Sequence, residues 1–224
     1  MKNECVRFYD LRRKQQNPKP RFRGKKLIAT ADGRNIKRNP ADIDMVVVHQ
    51  TAVEFGPRRV HLRQFKGNRE LAIAHRALDV ACHVLTFEDY FCLANELTTY
   101  VNHANRFNAR SLGLEIEGLY PGIHAQPTWR KMTTLTNNRV RTARLGLREM
   151  VNRGRKQGMP LKLITAHRQS NVNRRSDPGE EIWQRVVLDY GVPKLGLVTA
   201  PALTVGRGRP IPSVWQAQDL SIAY

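Results

Sequence analysis

The order of apolar segments along this 224-residue chain predicts an α/β fold. Short apolar runs of strand length lie between segments whose apolar residues recur at helical spacing. The hydrophobic content of 41% and the charged content of 25% are those of an ordinary folded domain. A chain of this length can bury one substantial core, so we expect a single domain with terminal extensions.

The first half of the chain predicts three strands and one short helix. Residues 43–50 form a continuous apolar run of buried-strand length, and His49 lies near its end. Residues 68–80 place apolar side chains at roughly helical spacing. Residues 82–87 and 90–94 are β-rich runs joined by two acidic residues, which is typical of a hairpin.

The second half predicts two strands and two helices. Residues 111–118 alternate between apolar and polar side chains, so Glu115 points away from the apolar face. Residues 128–155 have the apolar stripe of a long amphipathic helix. Residues 161–165 return as a strand, and residues 180–190 form a last helix.

The net charge of +19 is unevenly distributed. Residues 1–40 carry +10 and residues 125–160 carry +8, whereas residues 41–124 are close to neutral. The composition predicts a basic N-terminal arm over residues 1–40, a catalytic domain over 41–190 and a C-terminal tail containing Pro and Gly over 191–224. A field of this sign attracts polyanions such as nucleic acid, lipopolysaccharide, teichoic acid or an anionic membrane face.

The cysteines and the N-terminus bear on the cellular compartment. Cys5, Cys82 and Cys92 form no CxxC pair and predict no disulfide framework, which favours synthesis in a reducing compartment. No apolar stretch has the length of a signal-peptide core or a transmembrane segment. We therefore expect synthesis in the cytoplasm without a signal peptide, and delivery by another factor if the protein acts outside.

Two histidines and one aspartate predict a metal site. His49 and His167 each end an apolar run, and Asp177 closes the polar loop that begins at His167. Two imidazoles and one carboxylate leave one open position on a tetrahedral zinc ion, as a hydrolytic site requires. Structural alternatives exist, because a lone histidine is more often structural and an aspartate before Pro178 and Gly179 can start a turn.

Further residues are candidates for the chemistry around that metal. Glu115 is a candidate general base, with a solvent-facing strand surface as the alternative. Arg175 lies two residues before Asp177, so a bend in the loop could direct its guanidinium at a developing oxyanion. The alternative for Arg175 is a solvated side chain beside Arg174. His103 is a candidate for a substrate pocket.

Three stretches of the chain carry these candidates. The first is VVVHQTA at residues 46–52. The second combines NHA at 102–104 with SLGLEIEG at 111–118, and the third combines TAHR at 165–168 with RRSDPG at 174–179. In this order they resemble the zinc-dependent type 2 N-acetylmuramoyl-L-alanine amidases, the superfamily of phage lysozyme-type amidases and peptidoglycan recognition proteins.

The resemblance implies a mixed central β-sheet flanked by helices, with zinc at the rim of the sheet. The implied Zn²⁺ ligands are His49, His167 and Asp177. Glu115 would activate or orient water, and His103 and Asn102 would contact the substrate. The implied reaction is cleavage of the amide between N-acetylmuramic acid and L-alanine of the peptidoglycan stem peptide.

Some positions depart from the family pattern. The usual lysine two residues before the third ligand is Arg175 here, which keeps the positive charge. Asn102 and Asn105 stand where an aromatic residue and a glycine commonly flank the pocket histidine, and Glu88 and Asp89 replace the usual Asp-Gly turn. These departures concern the pocket and leave the ligand set intact.

The sequence favours a phage-type lytic enzyme, either an endolysin or a virion-associated hydrolase. A basic arm suits approach to an anionic envelope, whereas an enzyme acting on soluble muropeptides gains little from it. The alternatives are a cytoplasmic muropeptide-recycling amidase, a non-catalytic peptidoglycan-binding protein and a basic nucleic-acid-binding protein. Peptidoglycan is the expected partner, and nucleic acid is not expected as a functional one.

Overall fold

The computed structural model describes residues 38–52, 103–122 and 132–216 in full, together with the backbone of five strands outside those ranges. Those five strands are β1 (Arg7–Asp10), β2 (Arg21–Arg23), β3 (Lys26–Ala29), β5 (Cys82–Phe87) and β6 (Tyr90–Asn95). The other described strands are β4 (Met45–Gln50), β7 (Ser111–Ile116), β8 (Leu163–Ala166) and β9 (Val198–Thr199). The described helices are α1 (Asn137–Lys156), α2 (residues 180–195) and the short α3 (Ser213–Gln216).

One mixed seven-stranded sheet organises the fold, in the order β1-β5-β6-β7-β4-β8-β9. Strands β7, β4, β8 and β9 run parallel, whereas β1, β5 and β6 pair with antiparallel neighbours. β2 and β3 form a separate antiparallel pair within the segment predicted as an arm, and β1 of that segment joins the main sheet. The predicted α/β class and the predicted hairpin, formed by β5 and β6, are confirmed.

The central parallel strands bring their carboxyl ends to one edge of the sheet. β4 lies between β7 and β8, and its register places His49 opposite Glu115. On the other side Val48 lies opposite Ala166, so His167 comes immediately after the end of β8. Residues from three distant parts of the sequence therefore meet at one rim of the sheet.

Helix α1 begins later than the sequence predicts. The expected start at residue 128 is wrong over the described residues 132–136, which are not helical. Thr133 N–H donates to Leu119 O at 2.8 Å, and Thr133 Oγ1 accepts from Leu119 N–H at 2.9 Å. Thr136 then caps the helix, since its side chain accepts from Arg139 N–H at 3.3 Å. Below this cap the apolar stripe of α1 enters the core through Val140, Ala143, Leu147, Met150 and Val151.

The chain stays packed on the sheet beyond residue 190. Helix α2 continues past its expected end at Tyr190, and Gly196 ends it with a φ of 62°. β9 then pairs with β8, and Trp215 is fully buried in the core. Residues 197–216, which the sequence assigns to the tail, thus share a hydrophobic core with the segment predicted to be catalytic.

Two predicted features, the helix at 68–80 and the substrate contact at Asn102, lie outside the described residues. Among the described helices, none combines the length and apolarity needed to cross a membrane.

Candidate metal centre

The three predicted metal ligands come together at the rim of the sheet. His49 is the fifth residue of β4, His167 opens a 3₁₀ turn after β8, and Asp177 ends the loop that follows. His49 is fully buried, and His167 and Asp177 are 8% and 5% exposed. One ligand atom from each lies within 4.8 Å of the others. The structure therefore brings together the set that the sequence proposes.

The donor atoms of this set suit a metal ion. His167 Nδ1 lies 2.9 Å from both His49 Nδ1 and Asp177 Oδ2. A single proton on His167 Nδ1 satisfies only one of these contacts, so lone pairs are left facing one another. Two imidazoles and a carboxylate are ordinary zinc ligands, and a cation among them would remove this conflict. The residues present fit Zn²⁺.

Gln50 holds the third ligand in place, a role that the sequence analysis does not assign to it. Its backbone N–H donates to Asp177 Oδ1 at 2.9 Å. Its side-chain amide donates to Ser176 O at 2.7 Å, and its Oε1 accepts from Tyr120 N–H. Burial of an amide is favourable only when its polar atoms are paired, so these contacts fix the position of the loop before Asp177.

Glu115 lies beside the ligands, and one of its oxygens lacks a hydrogen-bond partner among the residues that the structure describes. Its Oε1 is 3.8 Å from His49 Nδ1, and its Oε2 is buried without a hydrogen-bond partner in the described residues. Burial and the charge of Asp177 raise the pKa of Glu115 to about 8, and the charge of Arg174 opposes this. An unpaired buried carboxylate oxygen is costly, so it marks a position where water, metal or substrate is expected.

The electrostatics of the centre favour a neutral imidazole at His49. Burial, followed by the charges of His167, His103 and Arg174, lowers the pKa of His49 well below its usual value. A neutral ring keeps the lone pair that a metal ligand needs.

Arg174 is a cation whose charge acts on the centre. Its charge lowers the pKa of both His49 and Glu115. Arg174 and Arg175, the residue that the sequence proposes for the oxyanion, both have exposed side chains. The carbonyl of Arg175 accepts a hydrogen bond from the Arg168 guanidinium at 2.5 Å. Sequence alone does not distinguish the adjacent arginines, because the effect of each charge depends on how the loop is folded.

His103 lies behind the ligands. It is 8% exposed, and its Nδ1 lies 3.0 Å from His49 Nε2. Its Nε2 lies 3.0 Å from Ser111 Oγ. Burial, followed by the charges of His167 and Arg38, lowers the pKa of His103 to about 3. Both ring nitrogens thus contact protein atoms, and Ser111 is a neighbour that the sequence analysis does not single out.

A comparison with family models identifies the family of this chain. The model described as N-acetylmuramoyl-L-alanine amidase matches residues 39–180, more than half of the chain, and this range includes the three ligands and Glu115. No curated protein matches the chain, and no solved structure does. The chain belongs to the type 2 N-acetylmuramoyl-L-alanine amidase family.

Proposed function

We propose that this protein is a zinc-dependent peptidoglycan hydrolase that cleaves the amide between N-acetylmuramic acid and L-alanine of the stem peptide. Family membership supports amidase activity on peptidoglycan in general. The observation that carries the zinc-dependent form is the convergence of His49, His167 and Asp177 within 4.8 Å. The complete ligand set argues against a protein that only binds peptidoglycan.

Zn²⁺ bound by these three residues would supply Lewis-acid chemistry, polarising the scissile carbonyl and making water more acidic. Glu115 takes a proton from the attacking water and passes it to the leaving nitrogen of L-alanine. We assign this transfer to Oε2, the buried oxygen without a protein partner in the described residues. Burial of Glu115 favours its protonated form, which suits the second half of this transfer.

A positive charge in the loop before Asp177 would stabilise the oxyanion of the tetrahedral intermediate. Arg175 occupies the position of the family's lysine and is one candidate. Arg174 is the second, because its charge acts on both Glu115 and His49. We favour Arg174 for this electrostatic role.

The biological role we propose is lytic, as in a phage-type endolysin or virion-associated enzyme that acts on the cell wall. The charge of +10 over residues 1–40 supports this, because a cationic segment concentrates an enzyme at an anionic envelope. A muropeptide-recycling amidase is the second candidate, and it would prefer soluble anhydro-muropeptides to intact sacculi. Faster turnover of the soluble substrate would overturn the lytic role and leave the amidase chemistry standing.

The zinc-dependent function is tested by metal analysis and activity on purified sacculi. We expect about one zinc ion per chain, and release of stem peptides that a chelator abolishes and added Zn²⁺ restores. Glu115→Ala should retain zinc and lose most of the activity. Undiminished release after both chelation and the Glu115 substitution would refute the proposal.

A further inference from the structure

A chain of hydrogen bonds runs from a backbone carbonyl to the first metal ligand. Ser111 Oγ donates to Phe107 O at 2.8 Å. The same oxygen lies 3.0 Å from His103 Nε2, and His103 Nδ1 lies 3.0 Å from His49 Nε2. All three side chains are buried, so water does not compete for these contacts.

The carbonyl of Phe107, at the start of this series of hydrogen bonds, determines where each proton in the series lies. A carbonyl only accepts, so the hydroxyl proton of Ser111 points at Phe107 O. Ser111 Oγ must then accept from His103, which places the ring proton of His103 on Nε2. A neutral imidazole has one N–H, so His103 Nδ1 is an acceptor and His49 Nε2 is the donor. The remaining nitrogen of His49, Nδ1, is left with its lone pair directed toward His167 and Glu115.

The surrounding backbone is built to hold His103 in this orientation. Asn108 Oδ1 accepts from the backbone N–H groups of His103 and Ala104 at 2.9 Å and 2.6 Å. Gly113 lies directly beneath the ring, and a Cβ at that position would come within 2.8 Å of His103 Nδ1. Only a residue without a side chain allows the ring to approach strand β7 this closely.

We propose that Ser111 and His103 are positioning residues that fix His49 in the tautomer whose Nδ1 binds the metal. This inference rests on the proposed zinc site and assigns the buried histidine to ligand orientation, in place of the substrate contact that the family resemblance implies. Partners of this kind fix ring orientation and ligand basicity in metal sites. Ser111, near the amino end of β7, thereby acts on the metal through two intervening rings.

The first test measures the tautomer directly in zinc-free protein by ¹⁵N NMR of the histidine rings. We expect the wild-type protein to have the His49 proton on Nε2 and the His103 proton on Nε2. In Ser111→Ala the His103 assignment should no longer be fixed. A His49 proton on Nδ1 in the wild-type protein would overturn the inference.

The second test measures zinc affinity by competition with a chromogenic chelator, independently of activity. Ser111→Ala and His103→Leu should each weaken zinc binding by about 10- to 100-fold. Gly113→Ala should do the same, because it displaces the ring without removing any hydrogen-bonding group. His103→Asn, which can place an amide oxygen near the position of Nδ1, should recover part of the loss.

Thr165→Val is the matched control, since Thr165 is also buried and its Oγ1 donates to the carbonyl of Val46 at 3.4 Å, outside this chain of contacts. Its zinc affinity should stay within about twofold of wild type, because the substitution removes no contact between Ser111 and His49. Thermal unfolding should first show that the variants are folded. Equal zinc affinities for wild type, Ser111→Ala and His103→Leu would then overturn this inference and leave the proposed function standing. Failure of the wild-type protein to bind zinc would overturn the proposed function and the inference with it.

Discussion

Replacement of Gln50 by alanine should disturb both stability and metal binding. Gln50 is 6% exposed, and its amide donates to Tyr120 O at 3.3 Å and pairs more closely with two further backbone groups, Tyr120 N–H and Ser176 O. Truncation leaves both groups buried without these partners, at a cost of about 1–3 kcal/mol each. We therefore expect a loss of about 2–6 kcal/mol in the free energy of unfolding, measured by denaturant titration of the zinc-free protein.

The same substitution should weaken zinc binding, because the loop that presents Asp177 loses its attachment to β4. The backbone hydrogen bond from Gln50 N–H to Asp177 Oδ1 remains, so binding should be reduced and not abolished. Gln184→Ala is the control, since the Gln184 amide is only half-buried and lies 3.4 Å from Glu180 Oε1. It should cost less than about 1 kcal/mol. If Gln50→Ala matched this control in both stability and zinc affinity, Gln50 would not be the residue that holds the loop before Asp177 in place.

Three further predictions concern catalysis and folding. Glu115→Gln should lower kcat by about 10²–10⁴-fold with zinc content unchanged, and normal turnover would exclude Glu115 as the base. Arg174→Ala should lower kcat by about tenfold, which is less than the loss at a buried oxyanion donor because the Arg174 side chain is exposed. Arg175→Ala should lower kcat less than Arg174→Ala does, and the reverse order would assign the oxyanion to Arg175. Trp215→Ala should destabilise the protein by about 3–5 kcal/mol in thermal or denaturant unfolding. The reason is that Trp215 is fully buried and its ring lies 4.8 Å from the Arg168 guanidinium. A loss below about 1 kcal/mol would contradict that packing.

The sequence predicts the convergence of the ligands because each follows a strand. His49 and His167 come at the ends of apolar runs that pair in parallel, so the register of one sheet brings them together. Glu115 was predicted on the face opposite the apolar side chains, and the parallel register places it beside His49. Strand alternation and a shared sheet edge are local rules, which makes this part of the centre accessible to sequence reasoning.

The helix boundaries and the C-terminal segment were not predicted in the same way. The apolar spacing that marks α1 extends upstream of Asn137, but the pairing of Thr133 with Leu119 removes those residues from the helix. Residues 197–216 have little periodicity, yet Trp215 fills the core and Gln169 Nε2 donates to the carbonyl of Leu203 at 2.7 Å. Tertiary contacts decide both features, and no single stretch of sequence contains both partners.

The roles proposed for Arg174 and Ser111 could not be predicted from the sequence. The preference for Arg174 over Arg175 rests on the effect of the Arg174 charge on His49 and Glu115, and this effect depends on the folded loop. The contribution of Ser111 depends on two rings that lie between its hydroxyl and His49 Nδ1. A pattern of residue types identifies ligands by their own chemistry, whereas residues that act through a ligand are identified only by the contacts that they make. For this reason the sequence predicts the metal ligands themselves, and the structure is needed to identify the residues that surround and orient them.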